Sequence, residues 1–163
     1  MENIVLRREP RESDRDAVRE LLGSTGFFSP REIEVAAELI DDRLTKGGSS
    51  EYLFIFAEID RKPGGYICYG PITMTEGRFD LYWIAVHSGM QGRGIGTLLL
   101  TEAERHIDSL NGNYLFSETS SRGIYEPTRE FYRKQGFREV ARVPQFYADH
   151  DDKVIFMKRL HGS

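Results

Sequence analysis

The chain reads as an α/β protein of the α+β type, built around a single strand, glycine turn and helix. Three observations carry that reading. Phe79 to Val86 (FDLYWIAV) is apolar on both alternating faces, with Phe79, Leu81, Trp83 and Ala85 on one and Tyr82, Ile84 and Val86 on the other. Such a run suits a central strand covered on both sides. After a glycine-rich turn, Ile95, Leu98, Leu99, Ala103 and Ile107 recur at helical spacing. Around this unit, strand-like and helix-like runs follow one another in the order β-α-α-β-β-β-α-β-α-β-β. No repeat, low-complexity tract or linker-like shift in composition interrupts it, so residues 1–163 read as one domain.

Ile4 to Arg8 is a short strand, and Ser13 is placed to cap a helix with Asp16 in its first turn. Ala17, Val18, Leu21 and Leu22 form that helix's apolar stripe, and Gly23 to Gly26 ends it. The next helix has Ser29 at its N-cap, Pro30 at the first helical position and Glu32 completing a capping box, with Phe28 placed to staple onto Ile33. Its stripe runs through Ala36, Ala37, Ile40 and Leu44 to a stop at Gly47-Gly48. Tyr52 to Ile59 and Tyr66 to Ile72 are two strands joined by a turn over Asp60 to Gly65 (DRKPGG). Beyond the glycine-loop helix, Asn111-Gly112 breaks the pattern and Tyr114 to Thr119 is a strand. A helix from Glu126 to Gln135 and two strands, Phe137 to Val143 and Val154 to Leu160, complete the chain. The polar stretch Asp149 to Lys153 reads as the turn between those strands.

Composition narrows the function. A chain of 163 residues is long enough to bury a real core. Net charge is -4 and the pI about 5.6, so no global basic field points to nucleic acid. Cys68 stands alone, which excludes an internal disulfide and a thiolate metal cluster. His87, His106, His150 and His161 show no ligand spacing, so no metal is expected. The N-terminal MENIVLRREP has no apolar run of the signal-peptide kind, and no run reaches transmembrane length. A cytoplasmic protein without a membrane partner is the expectation.

The turn between the central strand and its helix is chemically unusual. From Ser88 to Thr101 there is no acidic residue, although the positive end of a helix dipole favours Asp or Glu. Gly92, Arg93, Gly94 and Gly96 stand there instead, and a glycine within a helix costs about 1 kcal/mol against alanine. Bare N–H groups, an approach without side chains and one arginine together suit a phosphate. The bland alternative is a tight glycine turn with no ligand. The spacing is not that of the dinucleotide fingerprint, whose third glycine would lie one residue later, and no Gly-Lys-Ser/Thr triplet of a Walker loop follows.

What the residues do spell is Q-x-x-G-x-G, as Gln91, Gly94 and Gly96, five residues after Val86. In this the chain resembles the GNAT family of acetyl-CoA-dependent N-acetyltransferases, and the order of elements extends the resemblance over nearly its whole length. The resemblance implies a central mixed, mostly antiparallel twisted sheet of about seven strands flanked by about four helices. It implies acetyl-CoA as cosubstrate, with the pyrophosphate held by Gln91, Gly92, Arg93, Gly94, Ile95, Gly96 and Thr97. The strands before and after the loop splay apart in this family, and the fourth strand offers amides to the thioester and pantetheine. By spacing these are the amides of Ile84, Ala85 and Val86. A fixed N–H aimed at a thioester oxygen stabilises the charge that develops on attack.

An amine that attacks a thioester also needs a proton for the departing thiolate. FYRKQGF, as Phe131, Tyr132, Gly136 and Phe137, matches the helix whose tyrosine serves the family as general acid, so Tyr132 takes that role by resemblance. Thr128, one turn earlier, would share its face toward the coenzyme. Tyr125 stands where family members often carry Asn. Two carboxylates are candidates for the base: Glu118, closing the strand YLFSET, ranked slightly above Asp80, six residues before Val86. A carboxylate among apolar groups has a raised pKa suited to taking a proton. Each also reads as an ordinary strand-end carboxylate in water, and in several family enzymes water suffices. Acceptor contacts implied by the fold are Phe27, Phe28, Tyr69, Glu118, Phe146 and Tyr147, whose aromatic character suggests a partly apolar, modest-sized amine, small molecule or peptide. The last hairpin is left available to pair in a homodimer. The alternative from another class is a non-catalytic acyl-CoA-binding sensor or partner module, which would keep Gln91 to Thr97 but have no use for Tyr132 or the carboxylates.

Overall fold

The computed structural model describes residues 3–160; His161 lies outside them, as do the first two residues of MENIVLRREP. The strands are β1 (Ile4–Arg7), β2 (Leu53–Ile59), β3 (Lys62–Pro71), β4 (Arg78–Val86), β5 (Tyr114–Ser120), β6 (Arg138–Ala148) and β7 (Asp151–Arg159). The helices are α1 (Asp14–Thr25), α2 (Pro30–Lys46), α3 (Ile95–Ser109) and α4 (Glu126–Lys134). The seven strands form one sheet in the order β1-β2-β3-β4-β5-β7-β6, which puts β4 at the centre. β4 and β5 run parallel, whereas the β1–β2, β2–β3, β5–β7 and β6–β7 pairs are antiparallel. The mixed, mostly antiparallel sheet is therefore as the sequence suggested. The chain groups into two compact units, one of residues up to Gly70 with Trp83–Arg105, the other of Pro71–Tyr82 with residues from His106 on.

In the first unit, Val18, Leu21 and Leu22 of α1 and Ala36 and Ile40 of α2 pack with Phe54, Phe56, Tyr66 and Cys68 of the β2–β3 pair. The capping box of α2 is complete: Ser29 Oγ accepts from the Glu32 amide at 3.2 Å, and Glu32 Oε1 accepts from the Ser29 amide at 3.1 Å. The start of α1 differs from expectation, because the Ser13 side chain makes no cap bond. Asp14 ties the helix start to the chain before it, accepting from the Arg11 amide at 2.6 Å while Arg7 grips both its oxygens at 2.8 and 2.9 Å.

The β2–β3 turn also corrects the sequence reading. It spans only Asp60 and Arg61, both at positive φ (51° and 66°), the geometry of a tight type I′ hairpin. Pro63, Gly64 and Gly65 belong to β3. Gly65 serves packing: a Cβ there would come within 3.0 Å of Ile95 Cγ2, 3.1 Å of the Ala85 carbonyl and 3.2 Å of Leu99 Cδ1. Its missing side chain lets α3 lie against the sheet. On α3 the buried residues are Ile95, Leu99, Leu100, Ala103 and Ile107, and Leu98, placed in the stripe by sequence, is exposed.

In the second unit, β4 pairs β5 from Arg78↔Tyr114 to Leu81↔Ser117, and β5 pairs β7 along its whole length. One face of these strands, with Phe79, Leu81, Leu115, Val154 and Phe156, is buried, and Tyr132 of α4 packs on it 5.6 Å from the Phe156 ring. The other face carries Asp80, Phe116, Glu118, Lys153, Ile155 and Met157 and is only partly covered. Gly112 ends α3's connection to β5 because a Cβ there would collide with Ile107 and come within 2.6 Å of the Phe79 ring. The β6–β7 turn is shorter than expected, Asp149 and His150 alone, with His150 at φ 64°. Lys153 therefore lies within a strand rather than a turn, and β6, the edge strand, is exposed along all its residues.

Candidate active site

The glycine loop belongs to the first unit and is held where it leaves β4. The His87 amide donates to the Gly64 carbonyl at 2.8 Å, and the Ser88 amide donates to Ser24 Oγ of α1 at 3.1 Å. Gln91 Nε2 reaches back to the Val86 carbonyl at 3.5 Å, bridging the loop onto the end of β4. Gly92 and Gly94 sit at φ 80° and 77°, a conformation that favours glycine. A Cβ at either would meet nothing within 4 Å, so the surface above them is open. The first helical bond of α3 runs from the Leu98 amide to the Gly94 carbonyl at 3.0 Å. The first amides of any helix lack a carbonyl one turn earlier, and here no acid stands in that first turn to meet them. The result is an open concentration of positive dipole. Gln91, Gly92, Arg93, Gly94 and Thr97 are exposed around it, Gly96 is half-buried, and Ile95 is buried as the helix's anchor. On β4, Ile84 and Val86 are half-buried and Ala85 is buried in the core.

The second unit holds the titratable groups. Asp80 is half-buried, and its carboxyl is pushed up to about 6, first by burial and then by the Glu118 charge, with Lys153 opposing. Glu118 Oε2 pairs with Lys153 Nζ at 2.9 Å. The same ammonium lies 4.2 Å from the centroid of the Phe146 ring, which meets Tyr147 edge-on at 5.1 Å. Burial, the Glu118 charge and the Asp151 charge raise the Tyr147 phenol to about 12. Strand register explains the gathering: Asp80 is beside Phe116 on β5, Glu118 is two residues on, and Lys153 is diagonal to Glu118 on β7.

Tyr132 is only 4% exposed, with its ring 5.3 Å from Phe137 and 5.6 Å from Phe156. Burial raises its phenol, and the neighbouring Ser117 hydroxyl pulls it back, although Ser117 Oγ itself lies outside good hydrogen-bond geometry. Ser117 alternates with Phe116 and Glu118 along β5, so Tyr132 and the two carboxylates occupy opposite faces of the sheet. Thr128 is half-buried one turn before Tyr132.

The remaining acceptor candidates divide. Phe146 and Tyr147 are exposed beside Lys153, whereas Phe28 packs edge-on against Trp83 at 5.4 Å with Phe27 6.0 Å away, both half-buried. Tyr69 is fully buried on β3 and presents no surface to an acceptor, contrary to its assignment from sequence. Two residues of this unit escape the sequence reading. Arg129 donates to the carbonyls of Ser120 at 2.6 Å and Arg122 at 2.9 Å and pairs with Glu126 at 2.7 Å, tying α4 to the end of β5. Lys153 has the pattern of a turn residue, and only the early start of β7 reveals its place in the cluster. Among the described residues no cluster of three or more His, Cys, Asp and Glu could hold a metal ion, and no helix is long and apolar enough to cross a membrane.

The acetyltransferase (GNAT) domain model matches residues 50–139, from just before β2 to the start of β6. An uncharacterized N-acetyltransferase of Methanocaldococcus jannaschii is 32% identical over 107 residues, 65% of each chain, so the match spans less than two thirds of that relative's length. The crystal structure of a GNAT-family protein from Desulfovibrio desulfuricans superposes with a TM-score of 0.95 at 42% identity, covering 98% of this chain and 100% of that one. PaiA N-acetyltransferase from Thermoplasma acidophilum, solved in complex with coenzyme A, shares the fold at a TM-score of 0.73 and 19% identity, covering 96% of this chain and 99% of that one. Sheet, glycine loop and these matches define an acyltransferase domain. The chain belongs to the GNAT family of acetyltransferases.

Proposed function

We propose that the protein is a cytoplasmic N-acetyltransferase that moves an acetyl group from acetyl-CoA to a primary amine by direct attack in a ternary complex. The observation that carries this reading is the open, acid-free, glycine-lined start of α3 at Gln91 to Thr97. Its amides and dipole suit a pyrophosphate, and Arg93 adds a positive charge. The amides of Ile84 and Val86, which alternate with the His87 amide bonded to Gly64 on β3, hold the pantetheine arm and the oxygen on which charge develops. Asp80 takes the proton from the attacking amine, because its raised pKa places it near neutrality, while Glu118 is engaged by Lys153. Tyr132 returns a proton to the sulfur as the C–S bond breaks. Phe146 and Tyr147 give the acceptor side a partly apolar wall, which favours a modest-sized amine.

Gly94→Asp tests the assignment of the loop. Asp tolerates left-handed φ better than most residues, and the site above Gly94 is open, so the fold should survive. The new carboxylate would stand where the diphosphate is held, and acetyl-CoA affinity should fall tenfold or more, roughly 1.4 kcal/mol at least. Calorimetry reads it directly. Native affinity in a folded Gly94→Asp protein would remove the loop from the binding site.

A further inference from the structure

The Lys153–Glu118–Phe146 cluster has the form of a ligand site already filled. Proteins bind an alkylammonium by setting a carboxylate at hydrogen-bond distance and an aromatic face beneath it. Here Glu118 Oε2 is 2.9 Å and the Phe146 centroid 4.2 Å from an ammonium, and that ammonium is the chain's own Lys153. The lysine side chain is 17% exposed against 46% for Glu118, so it is folded in against its partners rather than extended into water. A lysine at an ordinary surface keeps its head solvated and its rotamers free. Register delivers this one: Lys153 has Ser120 and Val143 as its strand partners, and Glu118 is diagonal to it.

Charge on this face sharpens the point. Asp80 comes from β4, Glu118 from β5, Lys153 from β7 and the Tyr147 phenol from β6, with Asp151 and Tyr125 also acting on Tyr147. Two carboxylates face one ammonium, which leaves a single carboxylate for an incoming amine. A second positive charge on the acceptor would find Glu118 occupied and Lys153 repelling it.

We propose that Lys153 is a specificity-determining residue: it fills an ammonium seat formed by Glu118 and Phe146 and so restricts the acceptor to amines with one positive charge. The inference rests on the reading above that the acceptor binds on the Asp80 face.

Lys153→Met keeps a long apolar side chain without the charge, and Lys153→Arg restores the charge. Butylamine and 1,4-diaminobutane differ only in the second ammonium. Two quantities are measured on each folded protein: the diamine-to-monoamine ratio of kcat/KM with acetyl-CoA, and the ratio of their dissociation constants by calorimetry with coenzyme A present. Lys153→Met should shift at least one ratio tenfold or more toward the diamine, the scale of one charge-assisted bond regained. Lys153→Arg should keep the wild-type ratio. If Lys153→Met keeps the wild-type diamine-to-monoamine ratio in both turnover and binding, or if no variant binds either amine, the seat is overturned. A shifted binding ratio with no turnover of any amine would support the seat while contradicting acetyl transfer.

Discussion

Tyr132→Phe should lower kcat by about 10²–10⁴-fold, the usual scale of general acid catalysis, with fold and acetyl-CoA affinity nearly unchanged. The substitution removes only the hydroxyl. The ring stays packed against Phe137 at 5.3 Å and Phe156 at 5.6 Å, so the aromatic cluster of the second unit is preserved. Because burial raises the phenol above its ordinary range, Tyr132 holds its proton throughout the neutral region, and any loss of activity from its ionisation belongs above pH 10. If chemistry limits the rate, kcat and kcat/KM should fall together, since a proton delivered to the leaving sulfur matters only in the transition state. Steady-state kinetics on the Phe variant decides the matter. A native kcat on the true acceptor would make Tyr132 a core residue and nothing more.

Asp80→Asn should lower kcat by about 10²-fold or more and abolish the acid limb of the pH profile. With its pKa near 6, Asp80 can accept a proton above that pH and loses the ability below it, so wild-type kcat/KM should fall about tenfold per pH unit below 6. The effect on stability has the opposite sign. A carboxyl whose folded pKa is raised above its unfolded value of 3.8 binds protons more tightly in the native state. Its contribution therefore grows more favourable as pH falls through 6 toward 4, and above 6 the buried charge is a burden. Asn at this position should raise the melting temperature at pH 8 and leave it little changed at pH 4. Loss of activity joined to a gain in stability is a pattern expected of a functional carboxylate and not of a packing residue. Paired melts and rate profiles across pH 4–8 would show it, and an Asn variant with the native acid limb would pass the role of base to another group.

Features set by near neighbours along the chain are legible in the sequence alone. The Ser29–Glu32 box is one, because a cap depends on residues three apart. The glycine loop is another, since the absence of acid and the spacing of Gln91, Gly94 and Gly96 are local facts. Where sequence and structure part, the cause lies elsewhere in the chain. DRKPGG looks like a long turn because Pro and Gly usually punctuate, yet Gly65 is glycine to admit α3, whose Ile95 and Leu99 lie thirty residues and more away. Ser13 is a good cap by type, but Arg7 and the Arg11 amide converge on Asp14 and shift the anchoring there. The carboxylates of the site are visible singly. Their surroundings are not, because Glu118 meets Lys153 only through the β5–β7 register. Tyr69 can be placed on the right strand but not beneath the surface, since alternation alone does not say which face is covered.

Acetyl-CoA-dependent release of free thiol across a panel of primary amines bears most directly on the proposed activity. The wild-type protein should release thiol with acetyl-CoA and at least one amine, stoichiometrically with acetylated product, and the release should require both components. Binding of acetyl-CoA with no thiol released by any amine or by a cell extract would contradict an enzymatic role and leave a protein that only senses the coenzyme.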